Sequence, residues 1–163
     1  MVTRYHRAIE DAVVQFGQGC PDVKKAKRGS EVALPIVDSD SKKVINYKPD
    51  AYFICKNRYK IIIQVLESEL KKQDTIIADV TRACLVENCR GIIFIHPSSK
   101  KEDEDRVMEA LLTVVRGLSR KGMPIDELPQ RNNCYYITRS EAHDRPRLVQ
   151  KLARIAREDG WFK

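Results

Sequence analysis

Apolar residues at Tyr5, Ala8, Ile9, Ala12, Val13 and Phe16 recur at the spacing of one helical face, with Thr3 placed to cap the start and Gly17 and Gly19 to stop it. His6, Glu10 and Val13 form a neighbouring stripe on the same helix. The following segment, 20–30, is poor in apolar residues and rich in Lys and Arg, and it reads as a connecting loop. The period then shortens to that of strands. Residues 32–37 predict a first strand closed by a polar turn at 38–41, and 44–47 predict a return strand that continues through 51–55. Lys56, Asn57 and Arg58 turn the chain into a third strand over 59–66.

Helical spacing resumes after Ser68, a predicted N-cap, along Leu70, Ile76, Ile77, Val80, Ala83, Cys84 and Val86, and Gly91 is expected to end that helix. Ile92 to Ile95 is a short continuous apolar run of the kind found in a central strand covered on both faces. Ser98, Ser99 and the acids 102–105 suit the start of a helix running to about 120. A loop over 123–133, a strand over 134–138 and a basic amphipathic helix over 147–161 complete the chain. The order α-β-β-β-α-β-α-β-α predicts one α/β domain over 1–163, a mixed sheet with helices on both faces.

At 163 residues, 42% hydrophobic, the chain is long enough to bury a core without covalent staples. Lys and Arg total 30 against 23 Asp and Glu, a formal charge of +7 that favours a polyanionic partner, nucleic acid first. Lys24, Lys25, Lys27 and Arg28 are candidate phosphate contacts, as are Arg145, Arg147, Lys151, Arg154 and Arg157 near the C-terminus; each group also reads as an ordinary solvated face. The five cysteines form no CxxC pair, which argues against a disulfide framework or zinc ribbon and for reduced thiols. With no apolar run long enough to span a bilayer and no signal-peptide pattern at the start, the expectation is a soluble, cytoplasmic protein without a membrane partner. Dinucleotide, Walker, HExxH and GxSxG motifs are absent, as is the stacking pattern of an RNA-recognition domain.

The candidate chemistry lies between Tyr47 and Asp79. Pro49 and Asp50 open one strand, and Gln64 interrupts the next apolar run. A buried amide there requires partners, supplied either by a hydrogen-bond network or by a metal. Glu67, Ser68, Glu69, Lys71 and Lys72 then crowd the strand end, where an N-cap is the plain reading.

This arrangement resembles the PD-(D/E)XK, or restriction-endonuclease-like, nuclease superfamily. In that family an acid opens one strand of a hairpin, and an acid and a lysine two residues apart end the next. Pro49 and Asp50 match the first element; the acid and lysine positions fall on Gln64 and Leu66, so the second half is altered. The resemblance implies a Mg²⁺- or Mn²⁺-dependent endonuclease acting on DNA. Its implied catalytic residues are Asp50, Gln64, Glu67 and Lys71, its metal ligands are drawn from Asp50, Gln64, Glu67, Glu69 and the first-helix acid Glu10, and Lys72 joins the basic residues that meet DNA. A homodimer is compatible with it. The altered second half keeps open an inactive relative that binds nucleic acid or a protein, and His96 at a strand end leaves room for an unrelated α/β enzyme.

Overall fold

The computed structural model describes residues 4–38, 41–66, 73–95, 101–130 and 133–159. Thr3, His96, Ser98, Ser99, Trp161 and the cluster Glu67, Ser68, Glu69, Lys71 and Lys72 lie outside the described residues.

The first helix, α1 (Arg4–Gln18), runs where the apolar spacing places it and leads into β1 (Val23–Lys27). A hairpin of β2 (Leu34–Val37) and β3 (Val44–Tyr47) follows, then β4 (Ala51–Cys55) and β5 (Lys60–Val65). Next come α2 (Gln73–Cys84), β6 (Cys89–Ile95), α3 (Lys101–Arg120), β7 (Cys134–Ile137), α4 (Arg139–Ala142) and α5 (Arg145–Asp159). Five strands form one mixed sheet in the order β1-β4-β5-β6-β7, while β2 and β3 form a second, two-stranded sheet, with a single antiparallel bridge from Ile36 of β2 to Val86. Strand β4 is antiparallel to β1 and β5, whereas β5, β6 and β7 are parallel, joined by crossovers through α2 and α3.

Continuous apolar runs make the centre of this sheet because both faces are covered. Tyr52, Ile62, Ile92 and Phe94 pack on one side with Val80 of α2 and Leu111 of α3. Phe53, Ile61, Ile63 and Ile93 pack on the other with Val13 of α1 and Leu152 of α5.

The sequence reading differs from the structure at several points. Segment 20–30 is not a loop: β1 forms an edge of the sheet, burying Val23 and Ala26 while Lys24 and Lys25 face solvent. A register shift between Val23 and Lys25 breaks the alternation that would have revealed it. Charged side chains and a bulge also prevent an edge strand from pairing with other chains, which is why the strand looks like a solvated run. The strand expected over 44–55 is interrupted at Lys48–Asp50, since β3 belongs to the small sheet and β4 to the large one. Gly91 sits inside β6 and does not end α2, which finishes at Cys84. The C-terminal helix begins at Arg145, after the short α4 whose N-cap Thr138 forms a capping box with Glu141.

Candidate metal centre

The first helix carries His6 and Glu10 one turn apart on the side that meets the sheet. Among the described residues these are the only buried His, Asp, Glu, Lys or Arg side chains, at 5% and 8% exposure. Opposite them Asp50 ends the crossover from the small sheet and precedes β4. In the antiparallel pairing Ala51 faces Ile63, which sets Asp50 at the C-terminal end of β5. Its Oδ2 accepts a hydrogen bond from the Val65 backbone N–H at 2.7 Å, and Oδ1 lies 3.0 Å from His6 Nε2. Glu10 Oε2 is 3.1 Å from the same nitrogen. The three groups thus converge, with one ligand atom from each all within 4.8 Å of one another.

Burial is the main influence on Glu10 and raises its pKa above the ordinary carboxylate value; His6 opposes that, Asp50 adds to it, and Arg28 and Arg7 pull it down. Arg28 Nε stands 3.9 Å from Glu10, but the same guanidinium pairs with Asp11 and approaches Glu31 at 3.9 Å, so its charge is shared among three acids. Glu10 and Asp50 open onto a cleft of about 190 Å³ lined also by Arg7, Arg28, Ser30, Lys48 and Pro49. Arg7 and Lys48 are exposed at its rim.

The donor set fits a divalent cation. Neighbouring ligands about 2.1 Å from an octahedral ion lie about 3 Å apart, close to the observed 3.0 and 3.1 Å. Two carboxylates with one imidazole suit Mn²⁺ better than Mg²⁺, because nitrogen donors favour the transition metals. Without an ion, His6 Nε2 hydrogen-bonds with Asp50 Oδ1 and stands within ion-pair distance of Glu10 Oε2.

Of the residues expected at the site, the structure brings Asp50 and Glu10 together. Gln64 alternates with Ile61 and Ile63 and shares the sheet face of Ile62, against α2 and α3. Its Nε2 donates to the hydroxyl of Tyr47, whose proton is held tightly because burial pushes its pKa up. Leu66 packs toward the same core. The β5 positions on the face of His6 and Glu10 are Ile61, Ile63 and Val65. Lys24 and Lys25 are exposed on β1, Lys27 is half-buried beside them, and Arg28 is occupied by acids. Glu67, Glu69, Lys71 and Lys72 lie outside the described residues.

His6 is the participant that sequence reasoning did not select. Its signal was the spacing of four from Glu10 on a stripe beside the apolar face.

Comparison of the chain with family models, curated proteins and solved structures finds no match. All five cysteines are free thiols, and among the described residues no helix is long and apolar enough to cross a membrane.

Proposed function

We propose that this chain is a divalent-metal-dependent endonuclease acting on DNA, built on a restriction-endonuclease-like core and working in the reducing setting of the cytoplasm. The observation that carries this reading is the convergence of Glu10, Asp50 and His6 on one point beside a cleft rimmed by Arg7 and Lys48. The order of elements supports the family core: a helix, a hairpin ending at Pro49–Asp50, a crossover helix and a parallel strand. Topologically the β2–β3 sheet is then an insertion between the first two strands of the main sheet.

A bound Mn²⁺ or Mg²⁺ supplies an activated water and neutralises charge on the phosphate. The chain's own residues do the rest. Glu10, Asp50 and His6 would hold the ion; the Val65 N–H fixes the Asp50 carboxylate, so it is oriented before anything binds. Arg7 and Lys48 attract the phosphodiester to the cleft, and the +7 chain steers the polyanion there.

Purified protein should nick supercoiled DNA with Mn²⁺, and Asp50→Ala should abolish nicking while leaving the circular dichroism spectrum unchanged. Equal nicking by Asp50→Ala places the chemistry elsewhere. One observation favours a second reading, an inactive nuclease-like protein that binds nucleic acid or another protein: Ile63 and Val65 occupy the β5 positions that face Glu10, where a nuclease would carry ionic groups. Salt-dependent DNA binding without metal-dependent nicking decides for it.

A further inference from the structure

The segment Tyr47 to Asp50 is the bridge between the two sheets. The β2–β3 ribbon packs Leu34, Ile36 and Tyr47 into the main core, and the short bridge from it to β4 carries Asp50. This bridge is fixed at three places. Gly29, just beyond β1, donates its N–H to the Pro49 carbonyl at 3.0 Å. This contact is so close that a Cβ on Gly29 would sit 2.1 Å from the Pro49 oxygen and 2.6 Å from Lys48 C and Pro49 N, all backbone atoms with no side-chain freedom to yield. At the start of the bridge Gln64 donates to the buried Tyr47 hydroxyl, and at its end the Val65 N–H holds Asp50 Oδ2. Gly29, Pro49 and Tyr47 are all buried.

We propose that Gly29, Tyr47 and Gln64 are positioning residues, a clamp on Lys48–Pro49 that sets the Asp50 carboxylate against His6 and Glu10. Gln64 acts through Tyr47 from the sheet face opposite the cluster and touches no ion. Gly29 acts by lacking a side chain. The link to metal binding rests on the reading of the cluster as a cation site, whereas the effect on Asp50 does not.

Two measurements test the clamp. In metal-free protein, the ring ¹⁵N shifts of His6 report its contact with Asp50. In Mn²⁺ titrations, electron paramagnetic resonance reports affinity. Gly29→Ala is expected to keep a folded circular dichroism spectrum, alter the His6 ring signals and lower Mn²⁺ affinity by about 10- to 100-fold, the range for groups that orient a ligand without touching the ion. The double variant Tyr47→Phe/Gln64→Leu, which removes both partners of one bond, is expected to lower it about three- to tenfold, the worth of a single hydrogen bond. Unchanged His6 signals in both variants overturn the proposal; if Gly29→Ala does not fold, unchanged signals in the double variant suffice. Should the parent protein bind no Mn²⁺, the cation-site reading falls, and the His6 signals alone decide for or against the clamp.

Discussion

Removing the Asp50 carboxylate separates the stability of the fold from the function of the cluster. Asp50→Ala deletes the acceptor of the 2.7 Å bond from the Val65 N–H and the partner 3.0 Å from His6 Nε2. A hydrogen bond to a charged acceptor contributes about 1.5–3 kcal/mol. The Asp50 side chain is 25% exposed, so water replaces part of what is lost. The expected cost to the metal-free fold is therefore about 1–2 kcal/mol, small against the 5–15 kcal/mol that hold a domain together, in order of magnitude. The expected effect on ion binding is of another kind, because one of the three proposed ligands disappears. With Mn²⁺ at a hundred times its dissociation constant the parent gains about 2.7 kcal/mol, which for a chain of this length raises Tm by about 5–11 °C. Thermal unfolding with Mn²⁺ and with EDTA should show that rise in the parent and none in Asp50→Ala. An equal rise in both would mean that the ion binds elsewhere, and loss of folding in EDTA would mean that Asp50 is chiefly structural.

Burial raises the Glu10 pKa, so between the ordinary glutamate value of 4.5 and its folded value the native state holds a proton that the unfolded chain has released. Stability from this group therefore falls as pH rises through that window and is lowest above it; urea unfolding across pH should show that slope in the parent and not in Glu10→Gln, and an identical slope in both would reject the assignment. Mn²⁺ affinity of the parent should weaken on acidification through the same window, as protons compete for the carboxylate. Arg7→Ala and Lys48→Ala should each reduce the dependence of log K on log salt by about 1 without altering sequence preference, measured by fluorescence anisotropy with duplex DNA; unchanged slopes would place the phosphates elsewhere. Gly17→Ala should destabilise the fold by about 1–3 kcal/mol in urea unfolding, because a Cβ there would meet the fully buried Phe53 ring at 2.4 Å; a cost below about 0.5 kcal/mol would show that α1 shifts freely on the sheet.

How much could be read from the chain alone depended on whether local pattern or tertiary pairing settled the matter. Helices α1 and α3 and strands β4 to β6 follow from periodicity and apolar runs. Asp50 was legible as a candidate because a proline and an acid open a strand, whereas Glu10 became one only through the family resemblance, since its place on the first helix reads by itself as an exposed residue. The face of Gln64 was not legible. Ile61, Ile62 and Ile63 make both faces of β5 apolar, so nothing local says which parity meets α1. That choice is made by the packing of α1, and it turns the Gln64 amide toward Tyr47 and away from Glu10. The partner of β3 was equally hidden, since alternation marks a strand without saying which sheet it joins.

Charge balance at the cluster bears on why a basic chain would keep such a site. Glu10 and Asp50 place two carboxylates within reach of one nitrogen, and the nearest arginine already answers to Asp11 and Glu31. With His6 neutral, the buried pocket carries net negative charge in a chain of +7. Burying such charge is costly unless a cation compensates, and apolar side chains of similar volume would serve a merely structural core as well or better. The compensating charge is either a proton held within the cluster, as the raised Glu10 pKa favours, or a metal ion held by all three groups. Arg7 and Lys48, exposed at the mouth of the same cleft, stand where an incoming phosphate would pass. Negative charge inside with positive charge at the rim is the arrangement that admits a cation to the centre and a polyanion to the entrance, and it joins the metal reading and the nucleic-acid reading in one place.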